Sequence, residues 1–98
     1  MHEYYKIKQP LEQLFLENGL VLDVEDKNVD YCGSMQSIYA SDKFRFMVFW
    51  DGEEGFGGVE QYHGDGNWEM LKPTVPESTE GAMISNINAL ADHIQRLF

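Results

Sequence analysis

Between Phe46 and Leu71 the chain carries Asp51, Glu53, Glu54, Glu60, Asp65 and Glu69, and no Lys or Arg. Carboxylates at this density can hold a hard cation, exchange protons as an acid–base pair, or present negative charge to a basic partner. Two stretches place oxygen ligands at alternate positions, Asp51-Gly52-Glu53-Glu54-Gly55 and Asp65-Gly66-Asn67-Trp68-Glu69. A calcium loop of the EF-hand kind needs glycine at its sixth position and a bidentate glutamate at its twelfth. Counted from Asp65 those positions hold Met70 and Pro76, and counted from Asp51 they hold Phe56 and Tyr62, so neither stretch is such a loop. Glu53 and Glu54 are adjacent and expected to be exposed. Exposed carboxylates keep ordinary pKa values and make a poor acid–base pair.

Other chemistries fare worse. Gly52, Gly55, Gly57 and Gly58 suggest a phosphate-cradling loop, but the stretch is acidic, lacks Lys, and joins two strands instead of opening a helix. His2, His63 and His93 are scattered, and a Cys32/His63 pair has no third group to orient it. No catalytic residue, metal ligand or cofactor is assigned, and the chain is expected not to be an enzyme. The remaining chemistry is charge presentation. The expected partner-binding set is Asp51, Glu53, Glu54, Phe56, Glu60, Asp65 and Glu69. Phe56, an aromatic in a glycine-rich stretch, either folds back as a loop anchor or projects into the partner.

Composition agrees. The 98 residues carry 7 Lys and Arg against 17 Asp and Glu, a formal net charge of −10, with 43% apolar and 13% aromatic residues. That supports a single core and one domain over residues 1–98. A nucleic-acid binder of the ordinary basic kind is excluded, because little cationic charge is present to release phosphate counterions. No apolar run approaches the roughly 20 residues that span a bilayer. The first residues, Met1-His2-Glu3-Tyr4-Tyr5-Lys6, lack the apolar core of a signal peptide. The single cysteine, Cys32, forms no internal disulfide and is expected as a small buried apolar side chain. Together these features lead to the expectation of a cytoplasmic protein.

The elements that must position these residues follow from periodicity. Gln9-Pro10 reads as a helix entry, followed by Leu11, Leu14 and Phe15 on one face and a stop at Asn18-Gly19. Leu20, Leu22 and Val24 alternate as a half-buried strand. Val29 to Ala40 reads as one strand bulged at Gly33, or as two short strands. Lys43 to Trp50 is the clearest strand, with Phe44, Phe46, Val48 and Trp50 inward and Arg45, Met47 and Phe49 outward. Its apolar character on both faces predicts a central position. Asp51 to Gly58 reads as a mobile loop, Val59 to Tyr62 as a strand, His63 to Gly66 as a hairpin turn, and Asn67 to Leu71 as the last strand. Pro73 and Pro76 are expected to end the sheet. Glu77-Ser78-Thr79-Glu80 opens a helix whose stripe is Met83, Ile84, Ile87, Leu90, Ala91, Ile94, Leu97 and Phe98.

The predicted fold is therefore α+β: a four- or five-stranded antiparallel meander sheet, with an N-terminal and a C-terminal helix packed on one face. Trp50, Trp68, Tyr39 and Tyr62 read most simply as core and cross-strand aromatics, and the alternative places Tyr39, Arg45, Phe49 and Tyr62 as an aromatic surface on the sheet face away from the helices. The functional expectation is a small acidic protein-binding domain, an inhibitor or immunity-type protein that neutralises a basic site such as that of a nuclease toxin. The partner is another protein with a basic surface, with no direct nucleic-acid or membrane contact, and the chain is a monomer or weak homodimer. The alternatives are a self-associating structural domain and a calcium- or small-molecule-binding domain. The last helix gives a direct test. Ile87→Ala should cost about 2–5 kcal/mol in chemical denaturation, the usual range for a large-to-small core change.

Overall fold

A computed structural model describes residues 2–98. The chain runs α1 (Glu3–Glu17), β1 (Val21–Asp26), β2 (Met35–Ala40), β3 (Arg45–Asp51), β4 (Phe56–Tyr62), β5 (Trp68–Met70), β6 (Val75–Pro76) and α2 (Glu80–Gln95). The sheet is an antiparallel meander in the order β1-β2-β3-β4-β5, and β6 pairs with β4 beyond the end of β5. Helices, sheet and element order are those of the α+β fold expected from the sequence, with β3 at the centre.

Strand β3 fixes the two faces. Phe46, Val48 and Trp50 are buried, while Arg45, Met47, Phe49 and Asp51 between them are half-exposed. The register carries this division to the neighbours. Tyr39 and Ser37 of β2 and Val59 and Gly57 of β4 join the buried face, and Ile38, Gly58 and Glu60 join the other. Helix α1 lies on the buried face through Tyr4, Ile7, Leu11 and Phe15. Helix α2 runs beside α1 and meets the sheet at β6, burying Met83, Ile87, Leu90 and Ile94. Phe98 closes the end of this layer edge-on to Phe44 and Phe46, at ring separations of 4.9 and 5.9 Å.

Several boundaries differ from the sequence reading, each for a physical reason. Helix α1 begins at Glu3, and Pro10 lies inside it. His2 caps the helix, its Nδ1 accepting from the Tyr4 amide at 3.0 Å. Pro10 is exposed, so water can reach the Lys6 carbonyl that its missing N–H leaves without a helical partner. Thr79 caps α2 in the expected place, its hydroxyl accepting from the Ala82 amide. Strand β1 is an edge strand that the helices leave mostly uncovered. Only Leu20 before it is buried, Leu22 and Val24 are each 44% exposed, and the register slips between them. Between Asn28 and Ser34 the chain forms a loop, leaving only Met35–Ala40 as strand. The loop expected over Asp51 to Gly58 shrinks to a turn, with Phe56, Gly57 and Gly58 in β4. Pro76 sits within the two-residue β6 opposite Phe56 instead of past the sheet. Tyr39 is a core aromatic under α1, as its simpler reading has it, and not part of an open aromatic surface; its hydroxyl donates to Glu12. Cys32 is exposed in the 28–34 loop, so the expectation of burial is wrong.

The glycines of β4 have unequal roles. A Cβ at Gly57 would stand 2.6 Å from Ile7 Cδ1, 2.6 Å from the Phe49 carbonyl oxygen and 2.8 Å from the Trp50 ring. One at Gly58 would meet the Phe49 ring at 3.6 Å and the Thr74 Cα at 3.8 Å, both ordinary contacts. Gly57→Ala should therefore lower stability by about 1–3 kcal/mol or more, the range for overpacking. Gly58→Ala should be neutral or slightly stabilising, since alanine loses less backbone entropy in a strand. Paired urea melts of the two variants check the arrangement.

Candidate functional site

Both helices occupy one sheet face, and among the described residues no element covers the other. On that open face the register brings Met47 of β3, Glu60 of β4 and Met70 of β5 into one cross-strand row. Phe49 and Gly58 form the next row, and Asp51 and Phe56 the one after. The Phe49 and Phe56 rings meet edge to face, with centroids 5.6 Å apart at 85°. Tyr62 and Trp68 pack against each other at 5.0 Å at the far end. Phe56 is thus neither a loop anchor nor a free projection. It is the half-buried first residue of a strand, locked against Phe49 on the open face.

The rows border an open recess of about 340 Å³. Its floor is Met47, Phe49, Phe56 and Met70, and Glu60 stands among them. Asp30, Asp51 and Glu53 line its margin, and no Lys or Arg does. The turn at the margin is built by Asp51, whose Oδ1 accepts from the backbone amides of Glu53 and Glu54 at 3.0 Å each. The opposite wall comes from the 28–34 loop. Asp30 closes that loop by accepting from the amides of Cys32 at 2.8 Å and Ser34 at 3.2 Å. Hydrogen bonds from Ser34 hold the Asp30 carboxyl below the usual carboxylate range. Ser34 Oγ then accepts from the Gly52 amide at 2.8 Å, tying the loop to the turn. Gly52 is required there, because a Cβ would fall 2.0 Å from the Cys32 carbonyl oxygen.

Electrostatically, Glu60 differs from the other acids. Partial burial among thioethers and aromatic rings raises its pKa. Among the described residues it takes part in no ion pair, although Glu12, Glu25 and Asp23 each do.

The structure divides the expected site residues. Asp51, Glu53, Phe56 and Glu60 share the recess, and Glu54 is exposed in the same turn. Asp65 lies apart, in the turn after the other end of β4, at a left-handed φ of 53°. Glu69 alternates with Trp68 and Met70, so it leaves the open face, and it pairs with His63 at 2.7 Å. The seven residues therefore do not form one patch. Sequence reasoning missed Asp30, Met47 and Met70. The inward–outward alternation of β3 already singled out Met47, whereas Asp30 and Met70 enter only through tertiary pairing. Among the described residues no group of three or more His, Cys, Asp or Glu is placed to hold a metal ion. Among the described residues no helix is long and apolar enough to cross a membrane.

No protein-family model, curated protein or solved structure matches the chain. Its function must be argued from the open face itself.

The raised pKa of Glu60 has a defined sign. A carboxyl whose folded pKa lies above its unfolded value costs stability while ionised, and the cost disappears as pH falls below the unfolded value, about 4.3. Glu60→Gln should raise the melting temperature at pH 7, and the gain should shrink to nothing by pH 4. Thermal melts across that range provide the check.

Proposed function

We propose that this chain is a non-enzymatic binding protein of the inhibitor or immunity type, and that its open sheet face docks on a basic site of another protein. The observation that carries the reading is Glu60: a carboxylate without an ion-pair partner, set in an apolar floor and surrounded by further carboxylates. Apolar surface of this kind on an uncovered sheet is a recognised mark of an interaction site. Thioether and aromatic side chains are favoured at the centres of interfaces, where they supply contact area.

The charge adds direction. A domain of net charge −10 is drawn toward a positive cleft, and complementary potentials raise association rates by orders of magnitude at low salt. The same field opposes a second copy on this face, because two acidic margins would meet. A nuclease site, shaped to hold phosphates and therefore basic, is a target of the right sign.

The test is a comparison of variants. The immobilised protein is challenged with native lysate at low salt, retained protein is eluted by rising salt and purified, and its binding kinetics are measured at two salt concentrations. Combined Glu53→Gln, Glu54→Gln and Glu60→Gln substitution should slow association at least several-fold and flatten its salt dependence, with the fold retained. Phe56→Ala should act mainly on the dissociation rate. Unchanged kinetics in both variants would place the interface elsewhere and overturn the reading.

A further inference from the structure

The geometry points to the recess around Glu60 as a socket for one arginine side chain presented by the partner. This deepens the docking reading and rests on it for the source of the arginine.

Size comes first. At about 340 Å³ the recess is near the lower end of small-ligand sites, roughly 300–1,000 Å³. It suits one long side chain better than a nucleotide or an extended cofactor. Chemistry comes second. The floor is two thioethers, Met47 and Met70, directly across the strands from Glu60, with Phe49 one row along and Phe56 two rows along. The recess is open to solvent, its apolar floor leaves Glu60 partly desolvated, and the other charged groups that line it, Asp30, Asp51 and Glu53, are carboxylates as well. The incoming ion must therefore be a cation.

Arginine fits these conditions better than lysine. The guanidinium is flat, weakly hydrated and able to lie against aromatic and thioether surfaces, whereas an ammonium holds its water strongly. It also meets a carboxylate through two parallel N–H···O bonds, which an ammonium cannot do. The aliphatic stem of the arginine would rest on the methionines. Asp51 and Glu53 at the margin remain in water and act at longer range on approach.

The structure supplies the occupant's sign as well. The nearest cationic side chain along β3 is Arg45, at the other end of the strand, and it is engaged by Asp23 at 2.8 Å. Among the described residues no Lys or Arg lines the recess.

The test uses the whole protein and three capped amino-acid probes, the N-acetyl amides of arginine, lysine and norleucine, followed by carbon-detected NMR. The arginine probe should bind saturably, with shifts confined to Glu60, Met47, Phe49, Phe56 and Met70. It should bind at least about fivefold tighter than the lysine probe, and norleucine should not bind. It should also lower the titration midpoint of the Glu60 carboxyl. Glu60→Gln should weaken arginine binding at least tenfold, with amide spectra elsewhere unchanged, and Asp65→Asn should leave it intact. Equal response to arginine and lysine, or shifts spread over all carboxylates including Asp65, would overturn the assignment. The docking reading fails separately. If the arginine probe does not bind but Phe56→Ala still weakens the purified partner, docking stands and the socket falls. If the probe binds as described while the combined glutamine and Phe56→Ala variants keep full partner affinity, the socket stands and docking falls.

Discussion

The arrangement depends on the space above Gly57. With no side chain there, Ile7 can press its Cδ1 onto the sheet between the Trp50 ring and the β3 backbone, and α1 settles within contact of three strands. The sheet needs that close approach because β3 has apolar side chains on both faces and the chain has only two helices. Both helices go to the side where the backbone admits them. Packing of this kind is as dense as an organic crystal, so one methyl group at the contact is felt. What the helices cover is a core, and what they leave is the recess.

A second layer of interactions fixes how α1 lies on the sheet. Lys8 bridges Glu25 of β1 at 2.9 Å and Glu12 of its own helix at 3.5 Å. Glu25 accepts from Ser37 at 2.9 Å, Ser37 shares a hydrogen bond with the Tyr4 hydroxyl, and the Tyr39 hydroxyl donates to Glu12. The Lys8 contact holds the Glu25 carboxyl below its ordinary range, while burial beside Glu12 pushes the Tyr39 hydroxyl far up. No buried side-chain polar atom among the described residues is left without a partner. A satisfied network of this kind contributes specificity of placement more than raw stability, since desolvation offsets much of each ion pair. It also carries the edge strand β1, which the helices do not otherwise cover.

The parts of the fold legible in the sequence are those written in strong periodicity. The stripe of α2 and the alternation of β3 each depend on one element burying one face, and both appear where the pattern puts them, except that Ile84, expected in the stripe, is 50% exposed at its edge. The start of helix α1 is not legible, because Pro10 resembles an entry signal and an exposed mid-helix proline leaves no mark in the hydrophobic pattern. Gly57 and Gly58 read as loop because glycine is rare in strands, yet one of them is dictated by a helix more than forty residues earlier in the chain. The site was half legible for the same reason. Asp51, Glu53, Phe56 and Glu60 lie close in sequence and stay close in space. Asp30 and Met70 reach the recess through pairings that no local pattern records, and Asp65 and Glu69 are carried away by the alternation of β5 and its turn.

The contact between Gly52 and the Cys32 carbonyl makes the recess a joint between two segments about twenty residues apart. A displacement of the turn must be transmitted to the loop, because the two backbones touch without intervening side chains. Cys32 rides on that loop, exposed, and it is the only sulfhydryl in the chain. The molecule thus carries a ready-made attachment point for a dye or spin label beside its recess, needing no engineered cysteine and no removal of others. A probe there would report, as a change in its own mobility, whether the two walls move apart or together when the face is occupied.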